Sequence, residues 1–335
     1  MRAAIWDGEL EELKQSNLNG ANLTGGINVY NCNDASGSSP NKRCNYVDYA
    51  AADVDGDLPA PIHLQMIPQG SSPTIPTLFL GLQWYKSSAY AGSRLVGSFT
   101  HIYELGTSNA AAAASGGSFQ RLSWSGLTEQ TLRVAVTAGV NTLAGLFYAP
   151  IVRLHNALAS GEKLWMWWEF RYYDGSAYQK LSETSKVYVA DGDNYLGLLQ
   201  FGAMQLPPWG SWFLTASPVT LVVELHYQSL VNSSHQVDVD FVQLTPQQSF
   251  HVLRPLMDAP GVVEIVDNMI ENRVYGIGAA GSTTGVKSQL EFAGRIELMP
   301  GVANRLIFLW CDEQSMDITW YMTVQAWYRP RRRSL

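Results

Sequence analysis

Asp238 and Asp240 are the residues of this 335-residue chain whose type and spacing most directly suggest chemistry. In VDVDFVQLTP, Val237 to Pro246, they alternate with Val237, Val239 and Phe241. A strand sends successive side chains to opposite faces, so both carboxylates share one face about 7 Å apart. Two acids at such a distance can flank a glycosidic bond, one donating a proton while the other acts as base or nucleophile. On a solvated strand face the same pair does no chemistry, and no other acid-rich strand offers a facing wall. The solvated reading is preferred, and no catalytic residue is assigned. After Phe241 the alternation slips, with Val242 and Leu244 continuing the Asp face. A slip of this kind predicts a bulge, or a strand end buried on both sides.

Other candidate chemistry is sparser. Asp53, Asp55 and Asp57 resemble part of a calcium loop, but Leu64 stands where an EF-hand places its bidentate glutamate. They are read as a polar turn before a strand, the weak metal candidates in a chain for which no metal or other cofactor is expected. The six histidines, His63, His101, His155, His226, His235 and His251, show no HExxH or CxxC-linked spacing, and no GxSxG elbow is present. His63 and His226 alternate out of apolar stripes and are read as polar-face residues. GIGAAGSTTG, Gly276 to Gly285, is followed by a β-stripe and not by the helix N-terminus a phosphate cradle needs, so it is read as a hairpin loop. Cys32 and Cys44 flank a polar loop and either pair or stay free, while Cys311 lies in an apolar strand as a buried thiol.

Aromatic and basic side chains offer binding rather than catalysis. Trp165 and Trp167 lie opposite the stripe Leu164, Met166, Trp168, Phe170 and Tyr172, and Trp209 and Trp212 sit in the loop LPPWGSW. Exposed tryptophans stack on sugar rings or bury in a protein interface, and they can equally cover a sheet edge. In the tail YRPRRRSL, Arg329, Arg331, Arg332 and Arg333 contrast with a net charge of −7. They are read as a solvated terminus, or else as a contact for nucleic acid or an acidic neighbouring subunit.

The elements that must position these residues are strands. Leu78 to Trp84, Leu132 to Val136, Leu164 to Tyr172 and Val219 to Tyr227 alternate apolar and polar residues, and turn residues separate the stripes. NRLIFLW, Asn304 to Trp310, is apolar on both faces and reads as a central strand, with Pro300-Gly301 as the turn before it. Helical periodicity is confined to a brief stretch from Trp6 to Gln15. The expected fold is all-β: a large antiparallel, jelly-roll-like sandwich over 58–246, followed by a smaller β unit over 247–335. Residues 1–57 are too few and too polar for their own core and read as an arm or partial layer. Pro59 and Pro61 suit the start of an edge strand. No apolar run reaches membrane-spanning length and the N-terminus lacks a signal-peptide core, so no membrane is expected as a partner. The acidic balance argues against nucleic acid.

Several phrases come in a telling order: GDLPAPIHLQM, VDVDFVQLTP, HVLRPL, PGVANRLIFLW and the terminal WYRPRRR. Across roughly residues 45–335 this order resembles β-rich structural proteins encoded in phage and prophage tail or virion modules. The resemblance implies a non-enzymatic building block, made in the host cytoplasm and assembled in many copies with itself and other virion proteins. Its place would be the tail, in a distal-tail or baseplate role, or the capsid surface as a decoration protein. The alternative is a carbohydrate- or receptor-binding sandwich whose partner is a host-surface glycan.

Overall fold

The computed structural model describes residues 4–6, 9–31, 42–69, 77–85, 102–104, 109–111, 114, 118–136, 147–191, 198–205, 220–246, 250–254, 263–267, 273–277, 283–286, 289–290, 296–311 and 321–333. Among them the chain is all β. A single 3-10 turn, Ala51–Asp53, is the only helical element, and the strand pairings are antiparallel. The brief helix expected between Trp6 and Gln15 is replaced by strands at Glu11–Glu12 and Gln15–Asn17. Their pairing partners at Tyr328 and Asp48 supply a ladder that a short isolated helix would lack.

The chain divides into two compact units, one made of residues 1–91 and 248–335 and the other of 92–247. This differs from the expected arm, large sandwich and smaller C-terminal unit. The reason is strand pairing over long sequence distances. The strand Ala60–Gln69 pairs with Tyr321–Tyr328 in the register Leu64↔Ala326 and Met66↔Val324. Thr77–Tyr85 pairs with Ala303–Cys311. Both ends of the chain therefore build one body, and the segment 92–247 is inserted into it.

The first unit is sandwich-like. One sheet runs Glu11–Glu12, Tyr321–Tyr328, Ala60–Gln69, Val263–Asp267, Arg273–Ile277, Thr283–Val286, with Ile27–Tyr30 and Glu297–Leu298 paired beside this path. The other includes Phe250–Arg254, Thr77–Tyr85, Ala303–Cys311 and Tyr46–Tyr49. Ile62, Leu64, Met66, Met322, Val324 and Tyr328 from the first meet Val47, Tyr49, Leu306, Phe308 and Trp310 from the second in one core. Ala303–Cys311 is flanked on both sides and buried on both faces, as its sequence predicts, with Ile307 and Leu309 opposite the core. Ala60–Gln69 is likewise flanked on both sides and is no edge strand. Pro61 sits at its start, where a missing N–H costs least. The 1–57 segment supplies Leu13, Ile27, Val29, Val47, Tyr49 and Val54 to this core.

The second unit is also built of two sheets. Ser118–Ser125, Ser234–Pro246 and Phe147–Leu154 lie adjacent in one, and Gln130–Val136, Thr220–Ser229, Lys163–Tyr173 and Tyr178–Glu183 follow in order in the other. Between them Val152, Val237, Val239 and Val242 pack against Leu164, Met166, Trp168, Phe170, Val223 and Leu225. The change of core residue from Val239 to Val242 is the expected slip. It is a bulge, because Leu154 pairs with Val239 and Arg153 with Phe241, leaving Asp240 as the extra residue.

A buried charge cluster on one sheet of the inserted unit

The faces of Lys163–Tyr173 are divided by alternation. Leu164, Met166, Trp168 and Phe170 enter the core, which leaves Trp165, Trp167, Glu169 and Arg171 on the opposite face. The antiparallel register then fixes their neighbours. Trp167 lies across from His226, which lies across from Thr131, and Glu169 lies across from Glu224, which lies across from Arg133. Like charges set directly opposite repel, so the Glu169–Glu224 pair needs compensation. Arg171 provides it: its Nε is 2.7 Å from Oε2 of Glu169 and 2.9 Å from Oε2 of Glu224. Its Nη1 donates to the Tyr178 carbonyl at 3.1 Å. Arg133 donates from Nε to Oε1 of Glu224 at 2.5 Å, and its guanidinium lies over the Tyr178 ring at 3.8 Å. Lys180 stands 3.6 Å from Oε1 of Glu169.

Although it faces away from the core, the cluster is shielded. Glu169, Glu224 and His226 are 4%, 2% and 4% exposed. Trp167 is buried too, stacked on the His226 ring with 5.2 Å between centroids, and Lys186 lies 3.9 Å from the Trp167 ring centre. Burial pushes the Glu169 carboxyl up. The Arg171 hydrogen bond, with the charges of neighbouring groups such as Arg171 and Lys180, outweighs burial and leaves it below its ordinary value. His226 Nδ1 is 2.7 Å from Oε1 of Glu129, and its Nε2 is 3.3 Å from Oε2 of both Glu169 and Glu224. Two carboxylates across a strand pair invite a glycosidase reading. Here both are tied to guanidinium groups and shielded from solvent, which suits electrostatic cross-linking of the sheet better than attack on a sugar.

The residues singled out from sequence fall in different places. Asp238 and Asp240 are not solvated, being 3% and 0% exposed. Arg121 clamps Asp238 through two bonds, of 2.8 and 2.9 Å, and Asn156 adds a third at 2.6 Å. Asp240 pairs with Arg153 at 3.2 Å, both side chains being buried. Simple alternation could not reveal this, because both faces of the strand are covered and each acid is matched by an arginine on a neighbouring strand.

Trp165 is half-buried and meets Tyr188 edge-on at 5.4 Å, whereas Trp167 is buried in the cluster. Trp209, Trp212 and Cys32 lie outside the described residues, and Cys44 is a free, buried thiol. The three aspartates of the turn take separate partners. Asp55 accepts from the Gly56 amide at 2.7 Å and from Arg332 at 2.6 Å, Asp57 accepts from the Arg333 amide at 3.3 Å, and Asp53 stands 4.0 Å from Lys14. The basic tail thus meets its own chain. Arg331–Arg333 pairs with Ala4–Trp6, Arg331 donates to the Pro59 carbonyl at 2.8 Å, and Arg329 is half-buried. Gly56 permits the close approach, since a Cβ there would lie 2.9 Å from the Arg331 carbonyl oxygen.

Fold and cluster together define an all-β protein of two sandwich-like units, one inserted in the other. No family model and no curated protein matches the chain. Among solved structures it is similar to the tripod (BppUct-A-L) from the baseplate of bacteriophage Tuc2009, with 14% identity over 70% of this chain and 98% of that one. The TM-score is 0.22, which does not amount to a shared fold.

Proposed function

We propose that this chain is a non-enzymatic structural component of a phage virion, present in many copies in the tail or on the capsid surface. The observation that carries the reading is the order of its resembling phrases and where they lie. GDLPAPIHLQM, VDVDFVQLTP, HVLRPL and PGVANRLIFLW fall largely on the strands Ala60–Gln69, Ser234–Pro246, Phe250–Arg254 and Ala303–Cys311, and WYRPRRR is divided between the end of Tyr321–Tyr328 and Arg331–Arg333. These are framework strands of both units, so the resemblance is one of scaffold and not of a grafted site. Rigid sandwiches suit assembly in a particle. Mass spectrometry and antibody-labelled electron microscopy of purified particles test it. The chain should copurify with virions in multiple copies, and its absence from them would overturn the reading.

A second reading, a carbohydrate- or receptor-binding module, is favoured by one observation. Half-buried Trp165 and exposed Tyr188 stand edge to face on the same sheet, an arrangement that can receive a sugar ring. A glycan array probed with the parent protein and with Trp165→Ala decides it. Binding that the substitution removes supports the module, and no binding by the parent sinks it.

A further inference from the structure

His226 poses a problem that the ion-pair network does not solve by itself. A carboxylate only accepts, so the 2.7 Å contact with Glu129 Oε1 places a proton on Nδ1. Nε2 makes no hydrogen bond, lies in a side chain only 5% exposed, and is 3.3 Å from an oxygen of each of two carboxylates. In the neutral ring this sets a bare lone pair against two carboxylate oxygens, whose charge Arg171 compensates without giving Nε2 a donor.

We propose that Glu169, Glu224 and His226 form a binding site for a divalent transition-metal ion, with Glu129 fixing the imidazole tautomer. Their three ligand atoms lie within 4.8 Å of one another. Metal–ligand bonds of about 2.0–2.1 Å in a tetrahedral array make edges of about 3.3 Å, which is the separation from Nε2 to each oxygen. The Glu129–His226 contact reproduces the carboxylate–histidine–metal arrangement in which the second nitrogen is held as donor to an acid. One imidazole and two carboxylates suit Zn²⁺ or Mn²⁺, whereas Mg²⁺ prefers oxygen donors and water. Arg171 holds the same two oxygens, Glu169 Oε2 through both Nε and Nη2 and Glu224 Oε2 through Nε, so an ion would share them with the guanidinium. Its positive charge opposes the ion and sets the affinity lower than three such ligands alone would give.

The test uses the full chain, stripped with chelator and titrated with Zn²⁺, Mn²⁺ and Mg²⁺ by calorimetry, and with Co²⁺ by visible absorption. Saturable 1:1 binding of Zn²⁺ is expected, with Mg²⁺ at least tenfold weaker and Co²⁺ giving a tetrahedral spectrum. His226→Gln and Glu169→Gln should each weaken Zn²⁺ binding at least tenfold, and Glu129→Gln about 10-fold or more. Circular dichroism checks that each variant is folded. Arg171→Gln should tighten binding, which a purely structural arginine would not predict. Nitrogen-15 NMR of the histidines needs no variant: Zn²⁺ should shift the Nε2 resonance of His226 while its Nδ1 stays protonated. Absence of saturable binding, binding that survives His226→Gln, or a His226 ring doubly protonated in the presence of Zn²⁺ would overturn the proposal. The last result would mark His226 as the cation of the cluster.

Discussion

At the scale of single residues, the arginine–aspartate pairs invite the sharpest measurements. Arg153 and Asp240 are fully buried, so removing one charge strands the other. Arg153→Met should cost about 3–5 kcal/mol, whereas Arg153→Met combined with Asp240→Leu should cost clearly less. Urea unfolding of the three proteins measures this. Asp238 gives a pH signature. Burial raises its carboxyl, the bonds from Arg121 and Asn156 lower it more, and the net result is a depressed value in the folded chain. A depressed folded value stabilises above the unfolded value of about 3.9 and is lost as pH falls through the folded value. The stability gap between wild type and Asp238→Asn should therefore be full near neutrality and shrink below about pH 4. Cys44 offers a third test: burial, only partly offset by the Leu18 and Tyr46 backbone, pushes its thiol up to about 11. Ellman's reagent at pH 8 should leave it unmodified in the native chain and label it after denaturation. The aspartates were legible as residues of one strand, but their partners were not, because Arg121 and Arg153 carry no local mark of facing them.

Strands and turns were the most legible level. The Tyr321–Tyr328 strand alternates half-buried and buried residues without a break, and Lys163–Tyr173 buries the stripe that its sequence displays. Trp168 is fully buried in that stripe, and Trp168→Ala should destabilise the second unit by about 3–5 kcal/mol in a denaturant titration. The slip after Phe241 was visible as a change of phase, and the bulge settles it one residue earlier, at Asp240. The Pro300-Gly301 turn formed as its sequence implies, with Gly301 at a φ of 68° and Asn304 accepting from the Met299 amide at 2.9 Å. Asn31 shows what pattern reading misses. Its side chain donates to the Trp310 carbonyl at 2.7 Å and accepts from the Trp310 amide at 3.0 Å, closing a ladder with an amide that no periodicity reveals.

For the whole molecule, the insertion makes a prediction about fragments. Residues 92–247 hold both sheets of the second unit and its core. Expressed alone, they should give a β-type circular dichroism spectrum and a cooperative unfolding transition. Residues 248–335 alone should not, because Ala303–Cys311 and Tyr321–Tyr328 take their flanking strands from Tyr46–Tyr49, Thr77–Tyr85 and Ala60–Gln69. A folded 248–335 fragment would contradict this division.

The amino-acid sequence by itself determined that the chain is all-β, which of the long alternating segments are strands, and which of their side chains share a face, because a strand's period of two is a local property. Only the tertiary structure decided that Gln65 lies beside Gln325, and that Glu129, Glu169, Glu224 and His226 converge. A ladder of backbone hydrogen bonds accepts any strand of suitable phase, so partner and register are chosen by burial summed over residues far apart in the chain.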